Sequence, residues 1–243
     1  MNVIVLPTYN ERDNLRHALA RIREVADGHG VQLHTLIVDD NSPDGTGDLA
    51  DRLAGEVADV SVVHRAGKEG LGKAYIAGFR EALGMGADRI FEMDADLSHD
   101  ASYLPHFLRL IDQGADLVLG SRYIKGGGVE NWGLSRKIIS RGGCLYAQTI
   151  LGLPFHDLTG GYKCFRRRVL EAINLDGIDT AGYGFQIEMT YRAHKLGFKV
   201  VELPIIFVDR KVGESKMNND IVLEAMTNVW KLRFGKTPAG RPA

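Results

Sequence analysis

Short apolar runs alternate with longer amphipathic stretches through the first half of the chain. Residues 3–6, 33–38, 60–64, 89–93 and 117–120 are rich in Val, Ile and Leu and have the length of buried strands. Between them, residues 14–25, 48–58, 73–85 and 103–113 repeat apolar positions at helical spacing. Strands that alternate with helices predict an α/β fold with a mostly parallel central sheet and helices on both faces. In such sheets a ligand sits outside the carboxyl ends of the strands. The polar clusters at 7–11, 39–44, 94–99 and 121–125 fall at those ends.

The second half is less regular. A Gly-rich loop at 126–128 leads into a helical stretch over Leu134–Leu151, followed by a strand at 160–165 and a helix at 185–196. A strand at 200–208, a polar loop at 209–219 and a last helix at 221–234 complete the pattern. With no repeat and no linker composition, the expectation is one domain over residues 1–235 and a flexible tail at 236–243.

The composition, 44% hydrophobic and 25% charged over 243 residues, excludes disordered and fibrous classes. No apolar run reaches the length of a membrane span, and the opening residues read as a strand rather than a signal peptide. The two cysteines, Cys144 and Cys164, lack metal-ligand spacing and suit a reducing, cytoplasmic compartment. The net charge of −1 hides an asymmetry. Residues 1–121 carry 11 basic and 20 acidic side chains, whereas 122–243 carry 19 and 11. An acidic half suited to a metal is therefore joined to a basic half suited to phosphates. Near-neutral total charge without an RNP-type aromatic motif argues against nucleic acid as a partner.

The sharpest local feature is Phe91-Glu-Met-Asp-Ala-Asp96, a strand that runs into a D-x-D pair. Residues two apart on an extended backbone face one side, so Asp94 and Asp96 can address one hard cation such as Mg²⁺ or Mn²⁺. A second cluster spans residues 38–46, where a strong turn signal lets Asp44 or Thr46 cap the next helix. The adjacent carboxylates Asp39 and Asp40 suit hydrogen bonds to a nucleoside. At the end of the first strand, Thr8 or Asn10 can cap a helix, and Tyr9 and Glu11 can equally line a base pocket. Residues 67–74 nearly spell a P-loop, but Ala74 has no hydroxyl for Mg²⁺; Gly72 or Lys73 more simply opens a helix near the donor site. In the basic half, Arg122 and Arg136 are suited to bidentate phosphate contact, with Lys125, Lys137 and Arg141 nearby. Lys163, Arg166, Arg167 and Arg168 read as a solvated face.

Seven motifs occur in order: Leu6-Pro-Thr-Tyr-Asn-Glu11, Asp39-Asp-Asn-Ser-Pro-Asp-Gly-Thr46, Gly70-Leu-Gly-Lys-Ala74, Met93-Asp-Ala-Asp-Leu-Ser-His99, Gly120-Ser-Arg-Tyr123, Asp157-Leu-Thr-Gly-Gly161 and Arg210-Lys-Val-Gly-Glu-Ser-Lys216. The set, over roughly residues 1–217, resembles the family-2 glycosyltransferases and, among them, the polyprenyl-phosphate (dolichol-phosphate) mannosyltransferases. The resemblance implies a GT-A (Rossmann-like) fold, a GDP-mannose donor, Mg²⁺ or Mn²⁺, and inverting transfer to a polyprenyl phosphate. It places Pro7, Tyr9, Glu11, Val38 and Asp40, with Asp39 beside them, around the guanosine. Asp94, Ala95 and Asp96 would hold the donor, with both carboxylates on the metal. Arg122 and Arg136 would take the acceptor phosphate, which makes Asp96 and Arg122 the expected catalytic residues. Arg210 and Lys216 would close over the donor diphosphate. Residues 1–121 would thus form the nucleotide and metal half, and 122–235 the acceptor half.

Two departures stand out. Many relatives carry Gln where this chain has Ser98, and many bacterial relatives carry membrane helices after the catalytic domain, absent here. The implied enzyme would work at the cytoplasmic face of a membrane, by peripheral contact or through a separate membrane-anchoring subunit. A phosphate acceptor is already anionic near neutral pH and needs no general base, which leaves His99 free for a structural role. Alternatives are transfer of glucose or another sugar to the same lipid, and transfer to a saccharide, which would want a carboxylate base on the acceptor side. A non-catalytic nucleotide-binding scaffold would not need the metal pair. A nucleotidyltransferase would show a different Gly-rich start.

Overall fold

The computed structural model describes residues 1–178, 180, 182–209 and 219–235, with side chains from 226 onward in the last of these. Every apolar run of the first half forms a strand: β1 (Asn2–Thr8), β2 (Leu33–Asp39), β3 (Val60–His64), β4 (Arg89–Glu92) and β5 (Leu117–Ser121). The helices between them are α1 (Arg12–His29), α2 (Thr46–Glu56), α3 (Leu71–Gly84) and α4 (Leu104–Asp112). The second half contributes β6 (Gly128–Glu130), α5 (Leu134–Leu151), β7 (Lys163–Arg166), α6 (Arg167–Ala172) and α7 (Gly182–Lys195). After these come β8 (Val200–Pro204), β9 (Ile206–Val208) and α8 (Asn219–Phe234).

Two features depart from the expected pattern. The stretch expected as one strand breaks at Ile205, whose amide bonds Ser121 while its carbonyl accepts from Gly128. The chain thereby leaves β5 and pairs with β6 in a separate two-stranded ribbon. The short helix α6 and the three-residue β6 were not anticipated, because neither is long enough to show a period.

The main sheet has the order β3-β2-β1-β4-β7-β5-β8. β1 runs parallel to β2 and β4, and β5 parallel to β8, while β7 is antiparallel to both neighbours. Alternation along β1 divides the core. Val3 and Val5 face a cluster with α3, α5 and α7, whereas Ile4 and Leu6 face one with α1, α2 and α4. Helices therefore cover both faces of a mostly parallel sheet. The first cluster is tight: a Cβ on Gly78 of α3 would lie 2.2 Å from Val5 Cγ1. The carboxyl ends of β1, β2, β4 and β5 share one edge. Because β7 runs the other way, the loop before it opens on that same edge.

Candidate active site

Pro7 pairs in register with Val38, and Thr8 with Asp39, so the ends of β1 and β2 are level. The loops beyond them are zipped by hydrogen bonds from the Asn10, Glu11 and Arg12 amides to Ser42, Thr46 and Asp44. Thr46 is thus bonded across to the first loop as well as to Asp44 in its own turn. Asp39 is buried, and its carboxylate accepts from Thr8 Oγ1 at 3.1 Å, Ser42 Oγ at 2.6 Å and the Ser42 amide at 3.1 Å. It holds the turn that presents Asp40. Asp40 is also buried and ion-paired with Arg65; burial raises its carboxyl above the ordinary value against the pull of that guanidinium. Tyr9 is half-buried with the Lys68 ammonium 4.1 Å above its ring, and Glu11 accepts from Asn14 Nδ2 at 2.8 Å. The structure thus brings Pro7, Tyr9, Glu11, Val38, Asp39 and Asp40 to one corner of the sheet.

Asp94 and Asp96 follow directly on β4, separated by the buried Ala95. Tyr75, fully buried and stacked between Phe79 and Phe185, donates from its hydroxyl to Asp94 Oδ1 at 2.9 Å. Burial, with Asp94 next in size, raises the Tyr75 phenol well above its ordinary value, so it stays a neutral donor. The Asp94 amide donates to His99 Nδ1 at 3.1 Å. That bond and stacking on Tyr162 make His99 a structural, buried imidazole, whose pKa burial lowers. Asp96 Oδ1 accepts the Ser98 amide at 3.1 Å across Leu97, which holds a left-handed φ of 64° that leucine seldom adopts. Ser98 therefore meets the pair through its backbone amide. The donor set fits a hard divalent cation: it is all oxygen, with two carboxylates, and a neutral phenol orients one of them. The buried Ser98 Oγ beside them has no hydrogen-bond partner among the described residues, and a metal-bound water would satisfy it.

Beneath the pair lies a network the sequence did not announce. Lys163, expected on a solvated face, is 1% exposed. It stands opposite Glu92 in the β4–β7 register, and Gln186 joins the two, accepting from Lys163 Nζ and donating to Glu92 Oε1. Burial raises the Glu92 carboxyl to about 7 against the pull of Lys163. It lowers the Lys163 ammonium to about 8 against the pull of Glu92. The strand pattern explains the burial, since Lys163 lies between Tyr162 and Cys164 in an otherwise apolar segment.

The loop over residues 157–161 connects this acidic corner to the basic one. At one end, a Cβ on Gly161 would lie 3.7 Å from Asp94 Oδ2, an ordinary contact distance, so the loop runs alongside the carboxylate. At the other end, Asp157 forks with Arg122, Oδ2 to Nε at 2.6 Å and Oδ1 to Nη2 at 2.7 Å, while Thr159 accepts from Nη2 at 2.9 Å. Both partners are buried. Burial alone would raise Asp157, but the guanidinium outweighs it and holds the carboxyl below the usual range. Glu202 of β8 accepts the His156 and Asp157 amides, and Cys144 of α5 touches Asp157 and Thr159, which pins the loop from both sides.

Around Arg122 stand the rings of Tyr123, Trp132 and Phe207, with centroids 5.2 to 5.6 Å from its guanidinium carbon. Arg136 stacks on the other side of the cluster, 4.1 Å over Trp132, and bonds both Asp209 oxygens at 2.8 Å. Ser121 Oγ, Trp132 Nε1 and Arg136 Nε are buried here without a hydrogen-bond partner among the described residues. Each can donate, and an anion entering the cluster would satisfy them. The sequence points to Arg122 and Arg136, contains Asp157 within a motif that gives it no role, and does not single out Trp132 or Tyr75. Arg210 and Lys216 lie outside the described residues.

Comparison with known proteins matches residues 3–173 to the model of the family described as "Glycosyl transferase family 2". The undecaprenyl-phosphate mannosyltransferase of Micrococcus luteus is 51% identical over 225 residues, covering 93% of this chain and 90% of its own. The polyprenol monophosphomannose synthase of Mycolicibacterium smegmatis is 47% identical over 234 residues, covering 95% and 87%. Among solved structures, glucosyl-3-phosphoglycerate synthase from Mycobacterium tuberculosis, in complex with Mn²⁺, uridine-diphosphate-glucose and glycerol 3-phosphate, superposes with a TM-score of 0.69 at 16% identity. That match covers 96% of this chain and 80% of the other, and it speaks for the fold alone.

Proposed function

The chain belongs to glycosyl transferase family 2 and is a glycosyltransferase of the GT-A fold; on that premise we propose that it moves mannose from GDP-mannose to a polyprenyl phosphate, with inversion at the sugar and with Mg²⁺ or Mn²⁺ at Asp94 and Asp96. The acceptor class follows the two relatives, both named for mannosyl transfer to or synthesis on a polyprenyl phosphate carrier. The observation that carries the reading is the loop over 157–161, which holds Arg122 at one end and abuts Asp94 at the other. A carboxylate pair for the donor and a basic cluster with buried, unsatisfied donors for an anion are thereby fixed in one frame.

In this reading residues 1–121 hold the donor and 122–235 the acceptor. Pro7, Tyr9, Glu11, Val38 and Asp40 line the guanosine pocket, and Asp39 acts through the turn it holds. Ala95, with only a methyl side chain, lets the diphosphate approach the backbone between Asp94 and Asp96. Arg122 and Arg136 orient the acceptor phosphate, with Arg210 and Lys216 assigned to the donor diphosphate by resemblance. A phosphate oxygen attacks the anomeric carbon; the new C–O bond forms as the bond to the diphosphate breaks, and GDP leaves. The attacking oxygen is already ionised, so no side chain has to remove a proton. When bound, the divalent cation supplies charge compensation for the leaving diphosphate. The residues contribute position and electrostatics. The enzyme would work on the cytoplasmic face of a membrane, by peripheral contact or beside an anchoring subunit.

The test is incubation of the purified chain with polyprenyl phosphate, Mg²⁺ or Mn²⁺, and radiolabelled GDP-mannose or UDP-glucose in parallel. Lipid-extractable label from GDP-mannose alone, abolished by chelator, is the expected result, with the product anomer opposite to that of the donor. Label from UDP-glucose alone would overturn the sugar, and lipid label from neither would overturn the acceptor. A companion prediction concerns Tyr75. Tyr75→Phe removes only the hydroxyl on Asp94 and should raise the Mg²⁺ needed for half-maximal turnover by roughly tenfold or more. A metal titration at saturating donor measures this; an unchanged titration would leave Tyr75 a packing residue.

A further inference from the structure

Both arginines of the basic cluster are paired with carboxylates, and the two pairs are built differently. The Arg122 and Asp157 side chains are 6% and 0% exposed, and they meet through two nitrogens and two oxygens, with Thr159 as a third partner. The loop that carries Asp157 is itself held by Glu202 and Cys144. The Arg136 and Asp209 side chains are 19% and 27% exposed, and both Asp209 oxygens share the single nitrogen Nη1 at 2.8 Å. Arg136 Nε stays buried without a hydrogen-bond partner among the described residues. The first pair is a fixed strut. The second leaves the arginine short of the two-nitrogen contact that it makes best with an oxyanion.

The anchoring of the partners points the same way. Arg136 is seated on α5 and by its stacking 4.1 Å over the Trp132 ring, so it keeps its place without Asp209. Asp209 directly follows β9, and its amide donates to the Glu130 carbonyl at 3.2 Å. The β6–β9 ribbon thus fixes its backbone, while rotation about the side-chain torsions can carry the carboxylate off Arg136. Ser121 Oγ and Trp132 Nε1 are further buried donors of the cluster, and Asp209 satisfies neither. A phosphate monoester has three terminal oxygens and can serve Arg136 together with such donors.

We propose that Asp209 is an internal competitor of the acceptor phosphate: its carboxylate occupies Arg136 until a phosphate monoester displaces it, and it reclaims Arg136 once transfer is complete. The inference rests on the acceptor site proposed above. A phosphate monoester carries a charge of about −1.5 to −2 near neutral pH and outcompetes a single carboxylate for the cluster. Transfer turns one of its ionised oxygens into the bridge to the sugar, so the product is a diester with one charge. Asp209 then contends with it on nearly equal terms and loosens its hold. A resident competitor divides the affinity of every anion that needs Arg136 by the same factor. The doubly charged acceptor has the larger reserve against that factor, and the product the smaller.

The experiment is calorimetric titration of the full chain and of Asp209→Asn, without donor, using a short isoprenyl phosphate and its methyl diester. Asparagine has the shape of aspartate without the charge, so the variant should keep the parent's thermal midpoint. It should bind both ligands about fivefold more tightly or better, and the KM for the short acceptor in steady-state transfer should fall in step. Loss of a negative charge also favours anions through the general field, so the same change is made in an Arg136→Gln chain, where the gain should vanish. A gain that persists in that background would overturn the competition. So would unchanged or weaker binding by Asp209→Asn, the result expected if the carboxylate only holds Arg136 in place. Equal binding of the isoprenyl phosphate by the parent and Arg136→Gln chains would sink the acceptor assignment itself, and this proposal with it.

Discussion

Asp96→Ala is expected to lower turnover by on the order of 10²-fold or more while the chain stays folded. Asp96 is a buried carboxylate at the mouth of the site, and it accepts the Ser98 amide. That bond closes a three-residue turn rather than joining core elements, so its loss costs the fold about 1 kcal/mol. The expected catalytic loss is larger, because in the proposed site Asp94 alone would be left to hold the cation that compensates the leaving diphosphate. Asp96→Asn keeps the turn and removes the charge, which separates the two effects. It should retain the thermal midpoint of the parent and share most of the alanine variant's loss. Single-turnover rates at saturating donor and metal, with circular dichroism on the same samples, measure both quantities. Near wild-type turnover in the folded alanine variant would remove Asp96 from the metal.

The second large effect is on stability. Asp157→Ala leaves the Arg122 guanidinium buried with only the Thr159 hydroxyl from its former partners, and breaking a buried pair in this way costs about 3–5 kcal/mol. Urea unfolding at neutral pH should show it as a lower midpoint with an unchanged slope. The pair also carries a pH signature. Because the folded Asp157 carboxyl is held below its unfolded value, the stability it contributes is complete above the unfolded carboxylate range, about pH 4, and is lost as pH falls toward the folded value. The parent should therefore lose stability in acid more steeply than Asp157→Asn. Replacing both partners, Arg122→Met with Asp157→Leu, should recover much of the stability and none of the turnover. A double variant that recovers both would make the fork a structural element and Arg122 no part of the acceptor site.

Much of this architecture is legible in the sequence, for identifiable reasons. The strands of the parallel half are short, apolar and bounded by turn residues. Their ends, and with them the clusters at 7–11, 39–44 and 94–99, follow from the residue pattern alone. The D-x-D pair is visible because two carboxylates one residue apart stand just past an apolar run, although the backbone there bends through 95–97 rather than staying extended. What the sequence hides is pairing at a distance. Asp157 lies 35 residues from Arg122, and no local period links them. Tyr75 sits on α3 amid apolar neighbours and looks like core until its hydroxyl is found on Asp94. Lys163 stands near a run of arginines, and the charge of that run masks the strand to which it belongs. Gln186 shows nothing at all, since a mid-helix glutamine has no sequence signal for bridging a buried lysine and glutamate.

One strand sets where the molecule can be divided. The charge pattern puts a boundary at residue 121, between an acidic half and a basic one. β7 ignores it: this strand of the basic half inserts beside β4 and covers the open edge of the acidic half's sheet. A nascent chain that has emerged only as far as β5 would present β4 with one side unpaired and Glu92 without Lys163 or Gln186, a state prone to mispairing. The acidic half is thus finished by a piece of the basic half. A cut at residue 121 would therefore strip β4 of a neighbour, and the two stretches fold as one unit across β7.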